Sequence, residues 1–458
     1  MQGEMDQSAD NSVRAKVQRW YRNDRIVAIV IAIVVAAVFA RTINGGLYLD
    51  DMHHARPWTA SEVFGTFHGP FDPLGLEPDY FRPLVVVSFA IDWNLFGYNA
   101  VGFHVVSVLF YAIVAALVFL FARRIGIARL SAVVGALTFG VLPANVASAS
   151  YISERSDPMA LIFILIALML IVSYHGSRRV GLLIGACAAF VMALLSKEIG
   201  IALAVMIVPV WLFVSYTARL EAAASIGGAA ASPLRELRSM FTDLTMWKGL
   251  ARLVAPFWII AGAYVVYRQR VVVAGTLSYK ESYGPIEGLI RAVITAFKGV
   301  PWELSPLALV PLALLFVAAA LAGGTRGWSE VVLGVALVVA GSVPLSNVGP
   351  VEPRLLLVAL LGYAIAVAGL VTVFTHRWSM IGSRRVALVG VGTAALWVVF
   401  GAATLVGLVK AQNLYMPGSY KMLDGDLTIW NDPAQRNLYP PYHVERIEQR
   451  LREAGLIP

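Results

Sequence analysis

Two aspartates stand side by side at Asp50-Asp51, and two histidines follow at His53-His54. Adjacent carboxylates at the edge of an apolar region repel each other and resist desolvation. One use for such a pair is a general base that takes the proton from an attacking hydroxyl. Another is a divalent metal site, with Asp50, Asp51, His53 and His54 as the available ligands. The plain alternative is a solvated turn whose acids face water, a common outcome for so short a motif.

Three other clusters change the balance. Ser150-Tyr151-Ile152-Ser153-Glu154-Arg155-Ser156-Asp157-Pro158 is one, and Leu195-Ser196-Lys197-Glu198-Ile199-Gly200 is the second. The third runs from Pro344 through Asn347 and Glu352 to Arg354. Lys197 and Glu198 interrupt a long apolar stretch, and ionisable groups at such depth are functional candidates by default. The alternative there is a hairpin tip with a snorkelling lysine. A further loop carries Arg268, Arg270, Lys280, Arg291 and Lys298, basic groups that suit a phosphate or lipid headgroups.

The elements that must position these groups follow from composition. The 458 residues are 59% hydrophobic and 14% charged, where a soluble domain has roughly a quarter charged, and the mean hydropathy is +0.73. The apolar excess falls in runs long enough to cross a hydrocarbon core of ~30 Å. The reading is an all-α polytopic membrane protein, with spans near 26–42, 100–122, 128–147, 157–174, 180–196, 199–216, 251–267, 305–323, 329–346, 354–374 and 385–407. Residues 1–25 read as a basic cytoplasmic tail before an uncleaved first span. Cys187 is the one cysteine, which excludes an intramolecular disulfide.

Eleven spans place the N-terminus inside and the C-terminus outside. In that orientation bases outnumber acids on the inner side and acids outnumber bases on the outer, within a net charge of +8; this is the positive-inside pattern. The pI therefore reports orientation, with no case for nucleic acid. No internal repeat is visible, and Ala222 to Ser232 reads as a flexible inner linker. All four polar clusters fall on the outer side. The first outer loop, 42–99, includes Val85 to Phe96, which reads as an amphipathic helix too short and too polar (Asp92, Trp93, Asn94) to span and is expected to lie flat on the outer membrane face. A second large outer loop covers 268–304. The tail 408–458 ends in an amphipathic helix carrying Val444, Ile447 and Leu451.

In this order the clusters resemble the GT-C superfamily of lipid-dependent glycosyltransferases, in particular the membrane domain of protein O-mannosyltransferases that carry tetratricopeptide repeats, and their bacterial relatives. The matching pieces are Asp50-Asp51, Phe81-Arg82-Pro83-Leu84, Gly97-Tyr98-Asn99 with Gly102-Phe103-His104, Arg155-Ser156-Asp157, Ser196-Lys197-Glu198-Ile199-Gly200, and Leu345-Ser346-Asn347 with Glu352-Pro353-Arg354-Leu355. The likeness runs from about residue 45 to 375. It departs at Ser156, where the relatives have alanine, and in lacking their repeats within 408–458, which bears on the acceptor more than on the chemistry.

The resemblance implies a GT-C type transmembrane domain over 26–407. It implies transfer of a monosaccharide, a mannose-like hexose, from a polyprenyl-phosphate donor to a hydroxyl of a protein or glycan acceptor. Asp50 or Asp51 looks like the base. An in-line displacement would invert the anomeric centre. Arg354, Arg291 and Lys298 are candidates for the leaving phosphate, where negative charge grows. Arg82, Arg155, Asp157, Lys197 and Glu198 are assigned to orienting the base and binding donor phosphate or sugar; the alternative is an ion-pair network that closes the outer face. His104 reads as a buried hydrogen-bonding histidine. No cofactor is required, since phosphate leaves readily, although a divalent metal at Asp50, Asp51, His53 and His54 stays possible. An alanine-, valine- and arginine-rich composition suggests a bacterial inner membrane with the site facing the periplasm or exterior. A lipid-linked-sugar flippase would instead distribute polar groups through the membrane, and a polysaccharide ligase or polymerase tends to place its large loop later in the chain.

Overall fold

The computed structural model describes residues 23–47, 50–69, 80–225, 233–272, 284–298, 317, 327–346, 353–378, 398–399, 401–402, 404–414, 420–436 and 441–458. Among them the regular structure is helical. Seven helices are long and apolar enough to cross a membrane: Asp24–Asn44, Ala100–Arg124, Ile152–Ser177, Glu198–Ala224, Leu244–Val271, Trp328–Leu345 and Leu357–His376.

Two expected spans take other forms. The one near 128–147 is a helix Arg129–Val141 followed by Pro143–Ser150, bent by 52°. Leu142 is extended there (ψ 127°), because the ring of Pro143 disfavours helix in the residue before it. Val180–Ser196 is apolar but 17 residues long, about 25 Å of rise. The spans expected near 305–323 and 385–407 fall largely outside the described residues, so the count of eleven is not reproduced.

Local chemistry sets the helix starts nearest the candidate site. Pro83 occupies the first turn of Pro83–Phe96, where its missing N–H is not needed. The helix therefore begins two residues before the expected Val85. It stops at Gly97, whose φ of +56° suits glycine. The Asn99 side chain then accepts from Val101 N–H at 3.1 Å and starts Ala100–Arg124.

Trp328–Ser342 and Leu357–Trp378 are packed backbone to backbone. A Cβ on Gly334 would lie 2.3 Å from the Ala366 nitrogen, and one on Gly362 would lie 2.3 Å from the Val338 nitrogen. Leu357–His376 is almost wholly enclosed by its neighbours, Arg129–Val141 among them.

A second, smaller apolar core sits under the first loop. Leu47, Trp58, Val85, Val86, Phe89, Phe103 and Ile152 share it with Ile429, Ile447 and Leu451 of the tail. The tail carries two helices here, Tyr420–Asn431 and Pro441–Glu453. They are joined by Arg450, which donates to both carboxylate oxygens of Asp426 at 2.7 and 2.8 Å.

Candidate active site

Asp50 and Asp51 open a single turn, Asp51–His54, at the end of the bundle where Ala100–Arg124 and Ile152–Ser177 begin. The two carboxylates differ in environment. Asp51 is fully buried, and one of its oxygens accepts from both the backbone N–H and the hydroxyl of Ser153, each at 2.7 Å. Asp50 is half-buried and accepts from the Tyr151 hydroxyl at 2.9 Å. Burial, and then the charges of Asp50 and Asp51, push the Tyr151 phenol well above its ordinary value, so it remains a donor.

The loop helix Pro83–Phe96 anchors this region. Its buried face carries Val85, Val86, Phe89 and also Asp92. Asp92 forms an ion pair with Arg155, which is completely buried. The same guanidinium donates to the Phe103 carbonyl at 3.0 Å and lies 4.4 Å over the Phe89 ring. Burial raises the Asp92 carboxyl, and Arg155 acts in the opposite direction. On the other side, Phe89 stacks on His54 with centroids 4.4 Å apart and planes within 3°. One aromatic ring thus joins Arg155 to the turn that bears Asp50 and Asp51.

Lys197 and Glu198 belong to three further ion pairs. Lys197 Nζ donates to Asp157 at 2.5 Å and to Glu154 at 3.3 Å, all three groups being buried or nearly so. Arg82 grips Glu198 with two hydrogen bonds of 3.1 and 2.6 Å, and its guanidinium lies 4.0 Å over Tyr80. Such forked geometry fixes orientation as well as charge. Beside this pair lies a cavity of about 410 Å³ lined by Phe64, Phe67, His68, Phe81, Leu195 and Tyr267.

The structure therefore brings together Asp50, Asp51, Arg82, Arg155, Asp157, Lys197 and Glu198. The ion-pair network anticipated as the alternative reading is present. His104 is buried, with its Nε2 2.6 Å from the Gly46 carbonyl, tying Ala100–Arg124 to the start of the loop. His54 is buried, and burial first, then His53, Arg155, Arg82 and Arg56, depress its basicity far below the ordinary imidazole value. Among the described residues no group of three or more His, Cys, Asp or Glu side chains is disposed to hold a metal; Asp50, Asp51, His53 and His54 do not form one.

Of the three phosphate candidates, only the Arg291 side chain falls among the described residues. Arg291 is exposed on Pro285–Lys298 and pairs with Glu287 one turn away at 2.8 Å. The side chains of Lys298 and Arg354 lie outside the described residues. The 353–356 turn itself packs against Pro143–Asn145 and Val146–Ser150, near the loop that holds Tyr151.

Sequence reasoning did not give Tyr151, Ser153 or Asp92 a place in the site. Asp92 had a signal: a lone carboxylate in an otherwise apolar helix must find a cation if it is buried. Tyr151 and Ser153 sit in a cluster already singled out, but nothing in their types pointed to Asp50 and Asp51, about a hundred residues earlier.

Residues 79–270 match the dolichyl-phosphate-mannose-protein mannosyltransferase family. The matched segment contains Arg82, Asp92, Glu154, Arg155, Asp157, Lys197 and Glu198, the members of the four ion pairs of the site. The chain is also 28% identical over 174 residues to the protein O-mannosyl-transferase Tmtc1 of Drosophila melanogaster. That match covers 36% of this chain and 20% of the relative, so the likeness spans about a fifth of that protein. Among solved structures, ArnT from Cupriavidus metallidurans bound to undecaprenyl phosphate is similar at 14% identity and a TM-score of 0.44, over 84% of this chain and 75% of that one. The mannosyltransferase match agrees with the resemblance read from the six sequence pieces.

Proposed function

We propose that this chain is an inverting glycosyltransferase. It moves a mannose-like monosaccharide from a polyprenyl-phosphate donor to a hydroxyl of a protein or glycan acceptor, at the outer face of a membrane. The observation that carries the reading is the pair of carboxylates at one end of the bundle, one held fast and one left reachable, framed by ion pairs drawn from the family-matched segment.

Asp50 is the base. A carboxylate that accepts two hydrogen bonds on one oxygen loses basicity, and a buried one cannot meet an incoming hydroxyl. Asp51 has both properties. Asp50 is half-exposed, and the Tyr151 hydroxyl fixes one of its oxygens, which leaves the other to take the acceptor's proton. Oxygen of the acceptor attacks the anomeric carbon as the bond to the lipid phosphate breaks on the opposite side. Phosphate leaves as an anion, and basic groups of the 285–298 and 353–356 segments, Arg291, Lys298 and Arg354, receive it.

The aromatic cavity beside the Arg82–Glu198 pair suits the first isoprene units of the donor, because its walls are largely apolar. Arg82, Arg155, Asp157, Lys197 and Glu198 hold the loop segments in register, and those nearest the opening meet sugar hydroxyls. No step is routed through a metal.

The test is transfer of labelled sugar from a panel of polyprenyl-phosphate monosaccharides by wild type, Asp50→Asn and Asp51→Asn proteins, with and without EDTA. Loss of a general base lowers rate by about 10²–10⁴-fold, and Asp50→Asn is expected to show it while keeping its melting temperature. Asp51→Asn is expected to lower the melting temperature as well as the rate. Full activity in Asp50→Asn would overturn the assignment. A wild type that transfers sugar from no donor would overturn the function.

A further inference from the structure

The opposite end of the bundle holds a second cavity, with charged groups in its lining, that the transferase reading does not use. It measures about 380 Å³ and is lined by His175, Arg178, Trp211, Ser215, Arg219 and Asp243, among others. Ser156 and His175 lie on one helix, 19 residues apart by number, which is about 28 Å of rise. That distance is close to the thickness of a hydrocarbon core. With the candidate active site at one membrane surface, this cavity lies at headgroup level on the other. Arg123, Arg124 and Arg129 gather at the same end: Arg123 and Arg129 hold Asp24, and Arg124 donates to Ser173.

The charges in the cavity do not cancel. Asp243 accepts from the Thr245 and Met246 N–H groups at 2.9 and 3.2 Å, capping Leu244–Val271, and it pairs with Arg219. The Thr245 hydroxyl and Arg219 hold its carboxyl down at about 2, so that acid and that cation neutralise each other. Arg178 has no carboxylate partner among the described residues; its guanidinium lies 5.1 Å over the Trp211 ring and 5.9 Å over Tyr174. It also sits at φ +54°, an uncommon position for a residue other than glycine.

A second and independent observation concerns Trp211. The residue is 3% exposed, and its indole Nε1–H has no acceptor among the described residues. A buried donor left without an acceptor is destabilising. Its neighbours do not relieve it: His175 meets the Trp211 ring edge-on at 4.4 Å, and its Nε2 is 3.1 Å from the Ser215 hydroxyl. Among the described lining residues, Arg178 and Arg219 face the one carboxylate of Asp243, so the cavity carries net positive charge beside a buried indole donor. A phosphate supplies what is missing, negative charge and several acceptor oxygens in one compact group.

We propose that this cavity binds the phosphate of an anionic ester, either a phospholipid headgroup or a soluble phosphate ester, with Arg178 providing the charge and Trp211 the buried donor. The site is distinct from the donor site at the other end and does not depend on the reaction assigned there. Basic pockets between helices on the inner side of a membrane are suited to such headgroups.

The experiment is thermal unfolding of the full chain in detergent, titrated with phosphatidylglycerol, with phosphatidylcholine, and with glycerol 3-phosphate. Saturable stabilisation is expected with phosphatidylglycerol, with glycerol 3-phosphate or with both, and none with phosphatidylcholine. Stabilisation by phosphatidylglycerol alone identifies the lipid as the source; an equal effect of glycerol 3-phosphate identifies a soluble ester. Arg178→Gln is expected to weaken the apparent affinity about tenfold, the order expected for one lost charge-assisted hydrogen bond. Trp211→Phe keeps a ring and removes the N–H, and it is expected to weaken binding by a smaller factor. No stabilisation by either anion, or wild-type affinity in Arg178→Gln, overturns the proposal.

Discussion

The two ends of the helix bundle hold their charges in opposite ways. At the end bearing Asp50 and Asp51, Arg155, Lys197 and Arg82 are buried, and each is joined to carboxylates from another part of the chain. At the other end Arg123, Arg129 and Arg219 pair with acids while a quarter or so of each side chain remains open to solvent, and Arg178 meets no acid among the described residues. A buried ion pair gains little over an apolar substitute, but removing one partner strands a charge away from water. A half-exposed pair can exchange its partner for solvent and contributes little. The first end is therefore built to hold geometry, and the second to remain available to an anion.

The largest expected contrast comes from breaking one pair at each end. Arg155→Ala is expected to destabilise the protein by about 3–5 kcal/mol by leaving Asp92 buried and alone. Arg123→Ala is expected to cost about 1 kcal/mol or less. Detergent melting curves measure both. A double Arg155→Leu, Asp92→Leu variant should recover much of the stability without recovering transfer, because the guanidinium also supports Phe89 and the turn above it. Equal melting losses at Arg155 and Arg123 would erase the contrast.

A medium effect is expected from pH. His54 is buried and its basicity depressed, while in the unfolded chain it takes a proton at the ordinary value of 6.5. Below pH 6.5 the unfolded state therefore binds more protons than the folded one. Stability should fall with pH in that window by up to about 1.4 kcal/mol per unit. His54→Phe, which keeps the stack on Phe89, should flatten that slope between pH 6.5 and 5. Parallel slopes in wild type and variant would show that the acid end owes its pH response to other groups.

The smallest stability effect is expected at Arg291. Its pair with Glu287 is exposed and one turn long, a geometry worth about 0.2–0.5 kcal/mol, so Arg291→Ala should hardly move the melting curve. The same variant should raise the KM for the polyprenyl-phosphate donor several-fold. An unchanged KM would remove Arg291 from the groups that receive the phosphate and would leave that work to Lys298 and Arg354.

How much of this could be read from the chain depends on what a residue's type reveals by itself. Lys197 and Glu198 stood out because they interrupt apolar sequence, and the pairs they form explain why they are tolerated there. The helical character followed from run length, and the start of Ala100–Arg124 was placed correctly. The partners were not legible. Asp92 and Arg155 are 63 positions apart, and periodicity assigns a residue to a face without naming what will pack against that face. The bend at Pro143 was missed for a simpler reason: hydropathy averages across a proline, whereas the backbone cannot. Likewise Asp50 and Asp51 looked equivalent as neighbours in sequence, and only Ser153 and Tyr151, arriving from a distant loop, make one a structural anchor and the other reachable.

The close glycine contact between Trp328–Ser342 and Leu357–Trp378 bears on how the protein is made. Leu357–His376 shows almost no surface to lipid in the finished molecule, although its apolar composition lets it enter a bilayer unaided. It is synthesised after Arg129–Val141 and Trp328–Ser342, two of the walls that enclose it. Its final slot is thus framed by chain that has already left the ribosome, and it must travel sideways from lipid into protein to reach it. Gly334 and Gly362, whose missing side chains permit the approach, let that slot close around the helix.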